Sequence, residues 1–338
     1  MTRARRILFV FDWLVVGGEE TELRLLAQNL DRRRYDLAVA ACFRNERMTD
    51  VTVEAFRRLG LPLDTGAYAL DDDGRAAHLA QLIRQGKPDI VVACQGVQHA
   101  HRAFERLAPA ARPVLIEHGG LVSEVGRTPK HFTAAYIGVC RAIVAAAAAT
   151  LPDPSRARLI PSMVDLREFE GLDRPRIRRQ LGFLPEHRVV GWVGRLDRKK
   201  RVQDFVAAAA LLHRRRPDTR FLVVGGPDAF MPEYAEDLVA MVTACGLADV
   251  LVFTGDVADV PRCLQAMDAY AWLSRGEGMP HVVLEAGAAR LPIVATRDGG
   301  TPDVIVDGES GLFVPHEDPP AVAAAVERIL SDAPLAHR

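Results

Sequence analysis

This 338-residue sequence has few cysteines and almost no net charge. The five cysteines are scattered along the chain, odd in number and without a C-x2-C pair. They indicate reduced, mostly buried thiols and argue against disulfides and a structural zinc site. The formal net charge of -1 argues against a general polyanion-binding role. We therefore expect no nucleic-acid partner.

The sequence also lacks a secretory signal and a long uninterrupted apolar run. Its N-terminal basic residues lead directly into Ile7–Phe11, a short predicted strand. The apolar run from Thr133 to Thr150 is interrupted by Arg141 and is short for a membrane span. It reads better as a buried strand followed by an alanine-rich helix. We expect a cytoplasmic protein, and peripheral contact with the inner face of a membrane stays open.

Several common catalytic and metal-binding motifs are absent. No G-x-G-x-x-G follows a predicted strand, no G-x-S-x-G occurs, and a Walker A loop is excluded because Pro88 follows Gly86-Lys87. His99 and His101 lack a third ligand at metal-binding spacing, so we predict that both lie on a helix surface. The acidic run 71–73 precedes Gly74 and is better suited to a turn and helix N-cap. No metal site is expected.

Short β-branched runs alternate with longer amphipathic ones along the whole chain, which suits two domains in a chain of this length. This alternation predicts parallel sheets covered by helices on both faces. The pattern restarts after a Pro- and Arg-rich passage at 167–179. The predicted strands are 6–11, 37–43, 89–94, 113–118, 134–139, 189–194, 220–225, 250–254, 269–273, 292–296 and 311–314. The predicted helices are 19–30, 51–59, 75–86, 98–108, 141–149, 202–215, 234–245, 260–266, 281–289 and 320–330.

The most informative segment runs from Ser274 to Ala286 and reads S-R-G-E-G-M-P-H-V-V-L-E-A. Pro280 suits the first position of a helix, which would place Glu285 just over one turn inside it. The start of that helix would present free N–H groups and a positive dipole to a phosphate. Glu285 could accept hydrogen bonds from two ribose hydroxyls. An ordinary loop-to-helix junction fits this spacing equally well by itself, so the neighbouring segments decide.

Those neighbours resemble a known family. The segment is similar to the E-x7-E signature of the retaining GT-B glycosyltransferases, the glycosyltransferase group 1 or family 4 class. Gly194-Arg195-Leu196 followed by Lys200 resembles the family's G-R-L-x4-K element. The segments 291–302 and 308–315 resemble its P-V-V-A-T-x2-G-G-x-P-E and D-G-x2-G-x-L-V-P elements. Gly17-Gly18-Glu19-Glu20 is similar to its G-G-A-E loop. The resemblance is dense over 189–330 and thinner over 6–165.

The resemblance implies the GT-B architecture, in which two doubly wound Rossmann-like domains with parallel sheets face a central cleft. We place the acceptor-binding domain at 1–168 and the nucleotide-sugar-binding domain at 169–338. Chains of this fold normally finish with helices that cross back to the first domain. Here one predicted helix, 320–330, is followed only by 331–338, so those crossover helices are expected to be missing.

The implied activity is transfer of a sugar, of the hexosyltransferase type, from a UDP- or GDP-linked donor with retention of anomeric configuration. No metal and no cofactor besides the donor are expected, because Arg, Lys and a helix N-terminus can do the work of Mg²⁺. Arg195 and Lys200 would stabilise the diphosphate leaving group. Glu277 matches the glutamate near the donor sugar, and Glu285 the one that holds the ribose. Arg201 stands where the family usually has Gly.

His118, at the end of a predicted strand, resembles the family histidine that faces the donor sugar, and we count it with the catalytic residues. Gly17 and Gly18 would let the first βα loop approach donor phosphate or acceptor closely, although a tight turn explains them almost as well. The donor-binding set is completed by backbone groups around Gly278, Met279 and Pro280, and by Val257.

The acceptor and the oligomeric state cannot be read from the sequence. A lipid-linked glycan, a polysaccharide and a small aglycone all remain open as acceptors. Two alternatives to transfer also remain: epimerisation or hydrolysis of a nucleotide sugar in the same pocket, and a non-catalytic nucleotide-sugar-binding subunit. Retention of Arg195, Lys200, Glu277 and Glu285 together argues against the last of these.

Overall fold

The computed structural model describes residues 3–332 and separates two compact units, with the division between Ser162 and Met163. The boundary predicted from the sequence falls between 168 and 169. Each unit is built on its own sheet, and all pairings between named strands are parallel. Helices cover both faces of each sheet, so the prediction of two doubly wound Rossmann-like units is confirmed.

The sheet of unit 1 has the strand order β3-β2-β1-β4-β5-β6-β7 among the described residues. The order reverses between β1 and β4, and ligands of open α/β sheets bind at such a switch point, beyond the carboxyl ends of the strands. The elements are β1 Arg5–Phe11, α1 Gly18–Asn29, β2 Tyr35–Ala41, α2 Val51–Arg58, β3 Leu63–Asp64, α3 Asp72–Gly86, β4 Ile90–Ala93, α4 Val97–Glu105, β5 Val114–Gly119, β6 Thr133–Gly138, α5 Arg141–Thr150 and β7 Ala157–Leu159.

The central strand β1 shows why this sheet is buried on both faces. Successive side chains of a strand point to opposite faces. Leu8 and Val10 accordingly pack into the core beneath α3 and α4, while Phe9 and Phe11 pack into the core beneath α1 and α2. An apolar run such as β1 is therefore typical of a central parallel strand rather than an edge strand.

The sheet of unit 2 has the order β10-β9-β8-β11-β12-β13, and its reversal lies between β8 and β11. In its cores, Trp192 and Val190 pack on the side of α7 and α12, and Val189 and Val193 on the opposite side. The elements are α6 Arg174–Gln180, β8 Arg188–Val193, α7 Val202–Arg215, β9 Thr219–Val224, α8 Glu233–Ala244, β10 Leu251–Phe253, α9 Val260–Gln265, β11 Ala269–Trp272, α10 His281–Ala288, β12 Ile293–Thr296, α11 Thr301–Val304, β13 Leu312–Val314 and α12 Pro319–Ser331.

All eleven predicted strands occur in the structure, with ends that differ by no more than two residues. The sequence patterns missed β3 and β7, which form the two edges of the first sheet, and the helices α6 and α11. Strands of two or three residues are too short to display an alternating pattern. We expected crossover helices to be missing after α12. That expectation concerns 331–338, of which 333–338 lie outside the described residues.

The prediction that the acidic run 71–73 serves as a turn and helix cap is confirmed. Asp71 is the N-cap of α3, and its carboxylate accepts a hydrogen bond from the N–H of Gly74 at 2.8 Å. Asp72 and Asp73 occupy the first turn, where negative charge favours the helix dipole. No helix among residues 3–332 combines the length and apolarity that a membrane crossing requires.

Candidate functional site

The carboxyl edge of the second sheet brings together three loops that carry the predicted donor-site residues. These loops follow β8, β11 and β12, which are neighbours or near neighbours in the sheet. Arg275 N–H donates to the carbonyl of Lys199 at 2.9 Å, and Ser274 Oγ lies 3.2 Å from the same carbonyl. Thr296 Oγ1 donates to the Ser274 carbonyl at 2.9 Å. Backbone and hydroxyl hydrogen bonds therefore hold the loops in a fixed arrangement.

Lys200 and Glu277 form the centre of this edge. Lys200 Nζ lies 2.8 Å from Glu277 Oε1, and Ser274 Oγ donates to the same oxygen at 2.8 Å. Burial disfavours ionisation of Glu277, but the positive charge and hydrogen bond of Lys200 outweigh it and lower the pKa of that carboxyl. Glu277 is therefore an anion at neutral pH. Lys200, which we predict to bind the donor phosphate, thus contacts the carboxylate that we predict to lie near the donor sugar.

Arg195 follows β8 and pairs with a different carboxylate from that of Lys200. Its Nη1 lies 2.8 Å from Oδ2 of Asp228, a carboxylate buried in the loop after β9. Asp228 Oδ1 also accepts from the N–H of Phe230 at 2.8 Å, which fixes its orientation. The sequence analysis did not predict that Asp228 belongs to this site. Its position directly after Gly225-Gly226-Pro227 at a strand end was the available signal.

Helix α10 starts at His281, as in the predicted range 281–289, but Pro280 is not its first residue as we expected. Pro280 is the N-cap, and His281 is the first helical residue. Glu285 is buried on the same face one turn later, with Oε1 3.7 Å from His281 Nδ1. His281 is also buried, and neither of its ring nitrogens has a hydrogen-bond partner among the described residues. Two buried polar side chains thus lie on one face of α10.

The glycines around Glu277 are placed by Asp298, which the sequence reading also missed. Its Oδ1 accepts from the N–H groups of Gly276 and Glu277 at 2.9 and 3.0 Å. Gly300 N–H donates to the Gly278 carbonyl at 2.6 Å. Gly299 has φ of +53°, and a Cβ there would collide with the carbonyls of Glu277 and Gly278. The Gly-Gly segment after β12 therefore permits the close backbone approach that shapes the Glu277 loop.

The buried side chain of Met279 also anchors this loop, with 9% of its surface exposed. Val257 lies in the loop after β10 and packs partly against the core of unit 2. The neighbouring carboxylate of Asp256 accepts from the N–H of Gly226 at 3.0 Å, which ties the Val257 loop to the loop after β9. Val257 therefore lies at the same sheet edge as Arg195, two strands away in the sheet order.

Arg201, which stands where the resembling family usually has glycine, adopts the backbone conformation that glycine favours. Its φ and ψ are +57° and +41°, in the left-handed region. The guanidinium is held by two hydrogen bonds to Asp204, at 2.7 and 3.0 Å, and lies 3.4 Å from Glu317. Left-handed backbone costs a side-chain-bearing residue about 1–2 kcal/mol. The ion pairs offset part of this cost, so the Lys200 loop keeps its turn without glycine.

The carboxyl edge of the first sheet carries His118, Gly17 and Gly18. Gly17 is the N-cap of α1, and a Cβ there would lie 2.5 Å from Oε2 of Glu20. The His118 ring lies between two carboxylates of α1, with Nε2 3.0 Å from Glu22 and Nδ1 3.4 Å from Glu19. Burial disfavours the imidazolium, but the two carboxylates outweigh it and raise the pKa of His118 to about 10. His118 is thus a cation at neutral pH and is not poised to act as a general base.

The prediction that His99 and His101 lie on a helix surface is wrong. Their exposed fractions are 6% and 4%. His99 Nε2 lies 3.1 Å from Asp12 at the end of β1, and His101 Nε2 lies 2.9 Å from Glu117 on β5. Asp12 and Glu117 belong to the strands on either side of β4, so the histidines face inward where α4 packs on the sheet. Helical periodicity alone could not reveal these partners.

Four cysteines are buried as predicted, and Cys245 is exposed; none of the five forms a disulfide. Among residues 3–332, no group of three or more His, Cys, Asp or Glu side chains has the geometry to hold a metal ion.

Comparison with known families agrees with the site. Residues 173–338 match the family model of the glycosyl transferases group 1. This stretch contains β8 to α12 and all of the Arg195, Lys200, Glu277 and Glu285 constellation. The match thus covers most of the second unit and none of the first.

Relatives of known name agree with this family. A D-inositol 3-phosphate glycosyltransferase of Actinosynnema mirum is 37% identical over 186 residues, which are 52% of this chain and 44% of the relative. A protein of the same name from Corynebacterium urealyticum is 35% identical over 185 residues, covering 53% of this chain and 44% of the relative. The chain therefore matches less than half the length of these curated relatives.

Solved structures resemble the chain over almost its whole length. The Anabaena protein Alr3699/HepE in complex with UDP-glucose superimposes with a TM-score of 0.83 at 20% identity, covering 98% of this chain and 91% of that one. Together with the two parallel sheets, this likeness defines the fold as GT-B.

Proposed function

We propose that this protein is a retaining glycosyltransferase that moves a sugar from a nucleotide-diphosphate donor to a hydroxyl group, without a metal ion. The observation that carries the proposal is the constellation at the edge of the second sheet. It places a Lys200–Glu277 pair, the guanidinium of Arg195 and the start of α10 on connected loops of one unit. Together these groups offer cations, amides and a carboxylate to one ligand.

Each group has a distinct task in this proposal. Charge grows on the diphosphate as the bond to the sugar breaks, and fixed cations lower the energy of that state. Lys200 and Arg195 supply the positive charge, and Asp228 and Glu277 hold the two side chains in place before the donor binds. Glu277 accepts hydrogen bonds from sugar hydroxyls. Glu285, with His281 beside it, binds the ribose.

The donor is proposed to carry UDP. HepE, which shares the fold, was crystallised with UDP and with UDP-glucose. A GDP sugar is the alternative that the loops do not exclude, because no base-specific contact is defined. Retention is proposed from the family resemblance, and the pairing of Glu277 with Lys200 supports it, because a carboxylate held by lysine is a poor general base. The leaving phosphate would then help to take the acceptor proton.

The acceptor is proposed to bind the edge of unit 1. The relatives are named for D-inositol 3-phosphate, which makes a cyclic polyol a reasonable first acceptor to test. The next acceptors to test are a lipid-linked glycan, a polysaccharide and a small aglycone. We place the reaction in the cytoplasm, and a lipid-linked acceptor would bring the protein to the inner face of a membrane.

A nucleotide-release screen tests the proposal. The full chain is incubated in EDTA with UDP- and GDP-linked sugars, with and without an acceptor panel, and released nucleotide is measured. We expect slow hydrolysis of one donor and faster release with the right acceptor. Product anomers are then identified by NMR. An inverted product contradicts retention, and activity lost in EDTA contradicts metal independence. A new nucleotide sugar indicates an epimerase, and binding without turnover indicates a non-catalytic subunit.

A further inference from the structure

The turn between β13 and α12 lies beside the loops that form the predicted donor site of unit 2. Glu317 Oε1, in this turn, is 3.4 Å from Nη1 of Arg201 and accepts a hydrogen bond from Nη1 of Arg275 at 3.2 Å. Arg201 directly follows Lys200 in the chain, and Arg275 lies two residues before Glu277. One carboxylate therefore joins the two segments whose side chains form the central Lys200–Glu277 pair.

The preceding residue of the same turn reaches the loop after β12. His316 Nε2 lies 3.6 Å from Oδ2 of Asp298. The other carboxylate oxygen of Asp298 accepts from the N–H groups of Gly276 and Glu277, at 2.9 and 3.0 Å. The β13–α12 turn thus contacts the loops after β8, β11 and β12, in each case through a charged or ionisable side chain.

The backbone of this ion pair is in an unfavourable conformation on both sides. Glu317 has φ of +59° and Arg201 has φ of +57°, both in the left-handed region. Among residues 3–332, four non-glycine residues have positive φ, and two of the four are this pair. Left-handed backbone disfavours any residue with a Cβ, and residues held in such conformations cluster at functional sites. A charged pair at two positions that glycine would occupy more easily therefore indicates a role for the charges.

The two partners are restrained before they pair. An isolated exposed ion pair stabilises little, because ordering two long side chains costs entropy. Here two hydrogen bonds to the buried Asp204 of α7 already fix the Arg201 guanidinium. Asp318, next to Glu317, caps α12 by accepting from the N–H of Ala321 at 2.9 Å. Since α7 and α12 pack together in one core, the starts of two packed helices fix the distance that the pair spans.

We propose that Glu317 is a positioning residue of the donor site, which keeps Lys200 and Glu277 in place through Arg201 and Arg275. The inference rests on the proposed function and deepens it, because it adds the β13–α12 turn to the site. Glu317 acts on the loops rather than on the donor. Lys200 and Glu277 are the groups that meet the donor as its bond to the sugar breaks, so loss of Glu317 should slow turnover more than it weakens nucleotide binding.

Nucleotide release and UDP binding together test the inference. The full chain receives a saturating concentration of the donor found in the release screen. We expect Glu317→Ala to lower kcat by about tenfold, because a small displacement of catalytic groups is costly. UDP affinity, measured by isothermal titration calorimetry, should change by less than about threefold, as for a group that acts mainly in the transition state.

Glu327→Ala is the matched control for this measurement. Glu327 Oε2 lies 2.8 Å from Arg215 Nη1, so this pair also joins α12 to α7, at the opposite ends of the two helices. Its removal should leave kcat and UDP affinity unchanged. Glu317→Gly separates charge from backbone conformation: glycine relieves the left-handed φ but supplies no carboxylate, so this variant should be as slow as Glu317→Ala.

Arg275→Ala provides a second route to the same contact. The Arg275 side chain is 67% exposed, so its loss leaves the fold intact even if a Glu317 variant fails to fold. We expect a kcat lowered by about threefold or more, and no further loss when Glu317→Ala is combined with it, because residues that act through one contact are not additive.

Four outcomes overturn the inference while the proposed transferase activity stands. They are equal kcat values in Glu317→Ala and Glu327→Ala, a wild-type kcat in Glu317→Gly, additive losses in the double variant, and a fall in UDP affinity as large as the fall in kcat. If the wild-type chain releases no nucleotide from any sugar donor, the proposed function itself fails and this inference fails with it.

Discussion

The carboxyl edges of the two sheets share an architecture and differ in charge. Both place a glycine-rich loop and a helix start at a switch point of a parallel sheet. In unit 2 the cations Arg195 and Lys200 are half-buried, and each is paired with one carboxylate. In unit 1 a single cationic histidine is surrounded by acids. The same fold thus carries side chains of different charge at the carboxyl ends of its two sheets.

The largest effect is expected for His118, whose contribution to the free energy of unfolding should depend on pH. The folded pKa of about 10 lies above the ordinary value of 6.5, so the pair with Glu19 and Glu22 stabilises unit 1 fully below pH 6.5. That contribution, at most about 5 kcal/mol, is lost as pH rises towards 10. Urea unfolding of wild type and His118→Gln at pH 6, 8 and 10 should show a stability difference that shrinks with pH. A pH-independent difference would contradict the charged pair.

The second largest effect is expected when Lys200, at the carboxyl edge of the second sheet, is removed. We expect Lys200→Ala to slow sugar transfer by about 10²–10³-fold, or roughly 3–4 kcal/mol, since a preorganised cation facing the leaving group is lost. Turnover is measured at saturating donor. Lys199→Ala is the matched control, because Lys199 is an exposed neighbour in the same basic run and should retain near wild-type turnover. Equal rates in both variants would reject the phosphate role of Lys200.

Glu285→Ala tests whether the nucleotide binds along α10. Loss of hydrogen bonds to a charged group should weaken UDP binding by about 1.5–3 kcal/mol. Isothermal titration calorimetry with free UDP measures this without an acceptor. Glu309→Ala, in an exposed turn before β13, provides the control and should bind UDP like wild type. The assignment is falsified if the two variants have the same affinity.

The smallest effect concerns Arg201, which maintains the Lys200 loop without glycine. Both Arg201→Gly and Arg201→Ala remove the ion pairs with Asp204 and Glu317, but only glycine tolerates the φ of +57° easily. We expect the alanine variant to be less stable than the glycine variant by about 0.5–1 kcal/mol. Thermal unfolding compares the two. Equal stability would mean that the loop changes conformation when the guanidinium is lost.

The sequence patterns identified the strands well because a buried parallel strand needs a continuous apolar run. They also placed Lys200 and Glu277 in one site through the family resemblance. They gave the wrong burial for His99 and His101. The sequence pattern of a helical histidine is the same whether the side chain contacts water or a carboxylate of the sheet. Asp228 and Asp298 were missed for a similar reason: each acts on a loop that belongs to another strand.

By itself, the sequence determined the alternation of strands and helices and the residue types at each strand end, because both depend on local backbone geometry and on burial. Only the tertiary structure decided which charges meet. His118 and Glu19 are 99 positions apart, and Arg195 and Asp228 are 33 apart. The charge state of a side chain depends on neighbours brought by the sheet order, so the cationic His118 and the paired Lys200 could be known only once the chain was folded.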